Sequence, residues 1–228
     1  MIVNLGALFS GGKDSVFACH RAMEKNRVIC LITMISENPA SYMFHTPNIR
    51  WTNLQAEAIG IPGLPWFTKG EKETELKDLK AAIRFAQDRF GIEGIVTGAI
   101  ESVYQAARIQ IICQDLDIWC FNPLWQINQI EYLRMLLLSG FKVIITGVFA
   151  YPFDASWVGA FLSEKRIQKL IQLQEKYKIN PSGEGGEVET FVLDGPIFRK
   201  RIEIVEAAKS YENFRGHLIF NEMRLVDK

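Results

Sequence analysis

Six consecutive residues, Ser10-Gly11-Gly12-Lys13-Asp14-Ser15, carry the clearest chemistry in this 228-residue chain. Adjacent glycines permit a tight turn and let backbone N–H groups approach an anion with no Cβ in the way. Ser10 and Ser15 add hydroxyl donors, and Lys13 adds a fixed positive charge. A helix that starts here aims its unpaired N–H groups and partial positive charge at the same point. The segment is suited to holding phosphate. It is not a Walker A loop, because Ala7 and Asp14 stand where that motif needs a glycine and a Ser or Thr. Nor is it a GxGxxG fingerprint, because its glycines are adjacent and no third follows. An acidic residue in such a loop, Asp14, has two readings: it bridges Mg²⁺ to the phosphates, or it caps the helix electrostatically.

A second group lies far along the chain, where Glu184 and Glu187 flank Gly185-Gly186 and place two carboxylates on one loop. Composition alone reads this as a solvated turn before a strand. His45, in a proline-containing loop with Tyr42, Phe44 and Asn48, reads by itself as a local hydrogen-bonding residue. Cys19, Cys30, Cys113 and Cys120 form no CxxC pair and sit among apolar residues, which suggests reduced, buried thiols rather than a disulfide frame or zinc site.

The elements that must position these groups alternate in the first half of the chain. Strand patterns at 1–9, 27–35, 64–68, 93–98 and 117–121 are separated by helical periodicity at 14–24, 49–59, 71–90 and 102–114. Right-handed βαβ units and a parallel sheet follow from that order, so the fold class is α/β and Rossmann-like. The phosphate loop then falls between the first strand and the first helix. After Asn122-Pro123 the pattern shifts to a helix (129–139), a strand (141–148), a further helix, a Gly-rich loop, and strands including 188–193 and 217–225. This describes a smaller α+β module, with a boundary placed at 125/126. Residues 1–125 would bind the nucleotide and 126–228 the second substrate.

Hydrophobic residues make up 48% of the chain and charged residues 23%, as in a globular protein with a core. Zero net charge gives no global field for nucleic acid or anionic membrane. The basic run from Ser163 to Lys178 reads as a solvated helix face. The N-terminus lacks signal-peptide order, and the apolar stretch 135–153 is too short and too interrupted to span a bilayer. A cytoplasmic protein is expected; a homo-oligomer is compatible with the sequence, which leaves the oligomeric state open.

SGGKDS at this position resembles the PP-loop of N-type ATP pyrophosphatases, the adenine nucleotide alpha hydrolase-like fold. The resemblance narrows through Tyr42 to Asn48, Gly98-Ala99-Ile100, Tyr104-Gln105 with Arg108, and Asn122 to Trp125. The run Gly183-Glu184-Gly185-Gly186-Glu187, continuing through Glu189-Thr190 to Leu193-Asp194-Gly195-Pro196, adds to it. Together these are similar to the diphthine–ammonia ligase family in its compact archaeal-type form. The resemblance implies ATP and Mg²⁺, ammonium, and translation elongation factor 2 bearing diphthine, with no membrane partner and no direct nucleic-acid contact. It implies an acyl-adenylate on the diphthine carboxylate, with release of pyrophosphate and then AMP. Lys13 and Asp14 would be catalytic, with Asp14 on the metal, and Glu184 and Glu187 would orient ammonium or take its proton. Ser10 to Ser15, Met34 and Gly98 would bind the nucleotide. Tyr42, His45, Asn48, Tyr104, Arg108, Trp125, Glu189 and Thr190 would contact the protein substrate. Diphthine carries a quaternary ammonium, for which Tyr42, Phe44, Tyr104, Trp125 and Trp157 are candidate aromatic faces, each equally able to be core. The chain departs from many relatives at Ala106 and Ala107, where an Arg is common, and is less Gly-rich over 151–155. Two rivals stand beside this reading. A tRNA-modifying PP-loop enzyme would often carry paired cysteines, and a non-catalytic nucleotide sensor would have little use for the acidic loop.

Overall fold

The structure, a computed structural model, describes residues 2–38, 48–71 and 74–228. The chain divides into two compact units, Met1–Trp125 and Gln126–Lys228.

In the first unit β1 (Asn4–Leu8) leads through the Ser10–Ser15 loop into α1 (Lys13–Met23). There follow β2 (Arg27–Ser36), a 3₁₀ turn (Ile49–Trp51), α2 (Thr52–Ile59), β3 (Gly63–Thr68), α3 (Thr74–Phe90), β4 (Gly94–Val96), α4 (Val103–Asp115) and β5 (Trp119–Phe121). The five strands form one parallel sheet in the order β3-β2-β1-β4-β5. Cys30, Ile32 and Met34 alternate along one face of β2 and meet Leu79, Ala82, Ile83 and Ala86 of α3 and Ile109, Ile112 and Cys113 of α4. Right-handed crossovers with this strand order put α1 and α2 on the opposite face. The chain leaves β1 in both directions along the sheet, toward β2 and, later, toward β4. That makes the carboxyl end of β1 a topological switch point, where such sheets bind ligands.

The second unit contains α5 (Gln129–Leu138), β6 (Lys142–Val148), α6 (Glu164–Tyr177), β7 (Val188–Asp194), β8 (Lys200–Glu212) and β9 (Arg215–Asp227). Its four strands form an antiparallel sheet in the order β7-β6-β9-β8. The long β8 has no counterpart in the sequence reading. Most of its residues are exposed, so it lacks the apolar run that marks a buried strand. Its pairing with β9 through a two-residue turn, Asn213-Phe214, supplies the order its own composition does not. Among the described residues no helix is long and apolar enough to cross a membrane.

The basic helix is only partly a solvated face. The Arg166 guanidinium lies 4.9 Å over the buried Trp157 ring and donates to the Ser156 carbonyl at 2.9 Å, while Lys169 lies 5.6 Å over the same ring.

Gly98, just past β4, sets the position of the phosphate loop. A Cβ there would lie 2.7 Å from the main-chain carbon of Asp14 and 2.8 Å from the nitrogen of Ser15. Main chain in a helix cannot yield as a flexible side chain does. Gly98→Ala should therefore destabilise the protein by about 1–3 kcal/mol, read as a melting temperature lower by roughly 2–10 °C. An unchanged melting temperature would show that the first turn of α1 is free to move away.

Candidate functional site

The phosphate loop is braced from two directions. Gly11 takes a left-handed conformation, φ 79°, and its carbonyl accepts from Nε2 of the fully buried Gln55 at 3.0 Å. A Cβ at Gly11 would collide with the same Gln55 side chain. Ser15 Oγ donates to the Gly12 carbonyl at 3.1 Å and accepts from the Ser10 amide and hydroxyl at 3.2 Å. Gly12 is the N-cap of α1 and offers no side chain to its amides. The serines thus hold the loop's shape before they serve any ligand. Gln55 went unnoticed in the sequence because its link to Gly11 spans 44 positions and follows no local pattern.

Lys13 is buried, and its ammonium sits 2.9 Å from both carboxylate oxygens of Asp14. Its charge is therefore held at the loop by the neighbouring acid rather than extended toward solvent. Among the described residues no group of three or more His, Cys, Asp or Glu is arranged to hold a metal. Asp14 alone suits Mg²⁺, which typically takes one or two carboxylates and completes its shell with phosphate oxygens and water. The residues fit a metal that arrives with its nucleotide.

Beyond its pairing with Leu8, β2 runs on for Thr33 to Ser36, paired there with β3. Thr33 Oγ1 donates to the Phe9 carbonyl at 2.8 Å and ties this overhang to the start of the loop. The Met34 side chain packs into the core under α3, so a nucleotide role for Met34 rests on its main chain alone. Gly98 lies against the main chain of Asp14 and Ser15 at the start of α1. Tyr42 and His45 lie outside the described residues. Asn48 is 1% exposed at the entrance to the 3₁₀ turn. Tyr104 and Arg108 meet on α4, with the guanidinium carbon 3.5 Å over the ring. That contact takes one face of Tyr104 away from any external cation. Trp125 is half-buried at the end of the turn in which its amide donates to the Asn122 carbonyl at 3.2 Å.

In the second unit the acidic loop is a closed structure. Glu187 Oε1 accepts from the Asn180 amide and side chain at 2.9 and 3.0 Å, and Oε2 accepts from the Gly185 amide at 2.9 Å. Ser182 donates through its amide and hydroxyl to Gln129 Oε1 on α5, at 3.0 and 2.8 Å. The Glu187 carboxylate is thus the staple of the loop, with both oxygens engaged by N–H donors. Glu184 is half-buried between Gly183 and Gly185.

Glu189 differs from both. It faces Gly147 across the β6–β7 pair, and Gly147 faces His217 on β9. A Cβ at Gly147 would lie 2.9 Å from Glu189 Oε2 and 2.6 Å from the Phe149 ring, so the missing side chain makes room for both. The Phe149 ring in turn lies 5.0 Å from that of His217. Glu189 Oε2 is buried with no hydrogen-bond partner among the described residues. Burial pushes this carboxyl up to about 7. Thr190, its neighbour, pairs with Ile145 and points to the other face of the sheet.

Residues 3–119 match the diphthamide synthase N-terminal domain, and residues 128–226 match the diphthamide synthase C-terminal domain. The human protein named diphthine–ammonia ligase is 32% identical over 252 aligned positions, covering 99% of this chain and 94% of its own length. The rat protein of the same name is 33% identical over 222 positions, covering 89% and 83%. Among solved structures, a predicted subunit of tRNA methyltransferase from Methanocaldococcus jannaschii aligns with TM-score 0.45 and 16% identity, over 85% of this chain and 98% of that one. A 4-thiouridine synthetase in complex with RNA and ATP aligns at 0.44 and 13%, over 84% and 55%. Both likenesses are too distant to carry an argument.

Two outcomes follow from the second unit. An unfolded glutamate has its ordinary value of 4.5, so between there and about 7 the folded protein keeps a proton that the unfolded chain has lost. Stability contributed by protonated Glu189 is complete below that window and lost as pH rises through it. Glu189→Gln should remove this loss, on the order of 2–3 kcal/mol, when denaturation is compared at about pH 5 and about pH 8. For the loop, Glu187→Gln replaces an acceptor with a donor facing N–H groups. Amide exchange at Asn180 and Gly185 should accelerate roughly 5- to 100-fold.

Proposed function

This chain belongs to the diphthamide synthase family, and from that premise we propose that it is an ATP-dependent, amide-forming ligase that converts the diphthine carboxylate of translation elongation factor 2 to its amide. The observation that supports this most is similarity running through both units to relatives named for that reaction. The geometry suggests which residues do the work.

The diphthine carboxylate oxygen attacks the α-phosphorus of ATP. The bond to the bridging oxygen breaks, and pyrophosphate leaves with the electron pair. Charge builds on both phosphate groups as this happens. The uncapped amides of α1, the Gly11-Gly12 turn and Lys13 are positioned to meet that charge, provided Lys13 exchanges Asp14 for phosphate. Mg²⁺, held by Asp14, would supply further neutralisation of the phosphates.

Ammonia nitrogen then attacks the acyl carbon of the acyl-adenylate, AMP leaves, and the nitrogen must shed a proton. A base for that step works best when its own affinity for protons lies near the working pH. Glu189, held near neutrality by burial and with one oxygen unpartnered, meets that requirement better than Glu187, whose oxygens are engaged in the loop. Glu187 and Gln129 act through the loop's shape instead. Glu184, half-buried on the same loop, would attract ammonium. The reduced cysteines agree with work in the cytoplasm, beside the translation machinery.

The test is to incubate the protein with ATP and Mg²⁺ and to add ammonium with either diphthine-bearing factor or bulk tRNA. AMP and pyrophosphate should appear with the factor, and factor-dependent exchange of pyrophosphate into ATP should occur without ammonium. Lys13→Ala should slow both activities about 10²- to 10³-fold. Glu189→Gln should retain the exchange and slow amide formation about 10²-fold or more. Release of AMP driven by tRNA and not by the factor would overturn the reading.

A further inference from the structure

The first unit brings two of its free cysteines, Cys113 and Cys120, together. Cys113 lies in the last turn of α4 and Cys120 in the middle of β5. Between them the chain doubles back: Asp117 takes a left-handed conformation, φ 53°, and the Ile118 amide donates to the Cys113 carbonyl at 3.0 Å. Cys120 then stands opposite Ile95 of β4 and packs on the same apolar cluster that contains Cys113. Its neighbour Trp119 turns to the other face of the sheet, as alternation along a strand requires. The turn therefore sets both sulfurs on one face, where the two thiols form a hydrogen bond with each other.

The partners differ in their surroundings. Cys113 is 0% exposed, whereas Cys120 is only half-buried. The hydrogen bond from Cys113 lowers the proton affinity of Cys120, and the same bond, followed by burial, raises that of Cys113. Cys120 is thus the member of the pair that yields a thiolate, the reactive form of the residue, and it is also the member nearer to solvent. Cys19 and Cys30 contrast with both. Each is fully buried, and burial pushes each thiol up to about 12.

Two adjacent thiols can bind a metal or exchange electrons. A structural zinc takes four ligands, and among the described residues no group of three or more His, Cys, Asp or Glu is arranged to hold a metal. The electron-exchange reading needs an accessible cysteine that ionises easily beside a second cysteine that can resolve it. That is the division of labour between Cys120 and Cys113. A disulfide further demands that the two Cβ atoms come to roughly 3.5–4.5 Å. β5 is a three-residue edge strand paired to β4 alone, so it can adjust toward α4 without disturbing a second neighbour.

We infer that Cys113 and Cys120 form a redox-active dithiol, which a hydroperoxide converts to a disulfide and a small dithiol reductant restores. The Cys120 thiolate attacks one peroxide oxygen, the O–O bond breaks, and the departing oxygen takes up a proton. Cys120 is left as a sulfenic acid. The Cys113 sulfur then attacks the Cys120 sulfur, the S–O bond breaks, and hydroxide leaves with the Cys113 proton as water. The two thiols lose two electrons and the peroxide gains them. Disulfides in reducing compartments are typically transient and redox-sensing, which agrees with a pair that is reduced at rest. The bond would tie the edge strand to the helix that covers it. None of this rests on the amidation reading.

The test treats the reduced full-length protein with one equivalent of hydrogen peroxide at about pH 7, the pH at which thiolate content decides the rate. The protein is then unfolded, its remaining thiols are alkylated, and its peptides are weighed by mass spectrometry. A cross-link between Cys113 and Cys120 should appear, with Cys19 and Cys30 alkylated, and dithiothreitol should restore all four thiols. Amide exchange in β5 should slow roughly tenfold in the oxidised protein. Cys113→Ala should abolish the cross-link and let Cys120 pass on to sulfinic acid. In the folded protein it should also slow alkylation of Cys120 about 3- to 10-fold, because the thiolate loses its donor. Cys120→Ala should leave Cys113 unmodified by the peroxide. The inference is overturned if peroxide leaves both cysteines of the wild type alkylatable, or joins either one to a second protein molecule instead. Sulfinic acid at Cys120 in the wild type, with Cys113 still alkylatable, would overturn it too, since Cys113 would then resolve nothing.

Discussion

The approach of the first turn of α1 to Gly98 is the contact on which the nucleotide half of the molecule depends. A phosphate loop needs amides that point outward together, and a helix N-terminus supplies them only if it is seated at the end of the sheet. Here the main chain of Asp14 and Ser15 occupies the space beside Gly98 that any other residue would fill. Gln55 pins the loop from the α2 side, and the Ser10–Ser15 hydroxyls close it from within. The loop is therefore ordered by the protein's own contacts, with the Lys13 charge held beside it by Asp14. Preorganised donors are worth more than donors that must be ordered during the reaction, because their reorganisation cost is already met by the fold.

A similar economy governs the second unit. Gly147 leaves a gap in β6, an inner strand, and the Glu189 carboxyl and the Phe149 ring fill it. Taking a carboxylate away from water without partners raises its affinity for protons, so the packing that stabilises the sheet also tunes the acid. Glu187, two residues earlier, has the opposite environment. Three N–H donors surround it, and they turn a charged side chain into a clasp for the loop. Two glutamates close in sequence thus acquire different work from their surroundings.

The first unit was largely legible because its signals are local. Buried parallel strands are short apolar runs, their helices have 3.6-residue periodicity, and a Gly-Gly turn between the two needs no distant partner to be recognised. The shift of pattern near residue 125 was visible for the same reason. Less was legible in the second unit. The exposed β8 shows too little apolar alternation to declare itself, and it is defined by its pairing with β9.

The sequence by itself determined the Gly-Gly, Lys and Ser pattern of the Ser10 to Ser15 loop and its place between a strand and a helix, the α/β class of the first unit and the resemblance to one family. Each follows from residue types at fixed spacing along the chain. Tertiary structure alone decided that Gly98 serves the helix and that the Met34 thioether belongs to the core. It also decided that Glu187 is a staple while Glu189 is the perturbed acid. Those distinctions depend on which atoms displace water from a side chain, and the atoms that do so at Glu189 come from Gly147 and its neighbours, some forty residues away in the chain. Spacing in a sequence carries no record of that burial, and burial is what raises the proton affinity of Glu189.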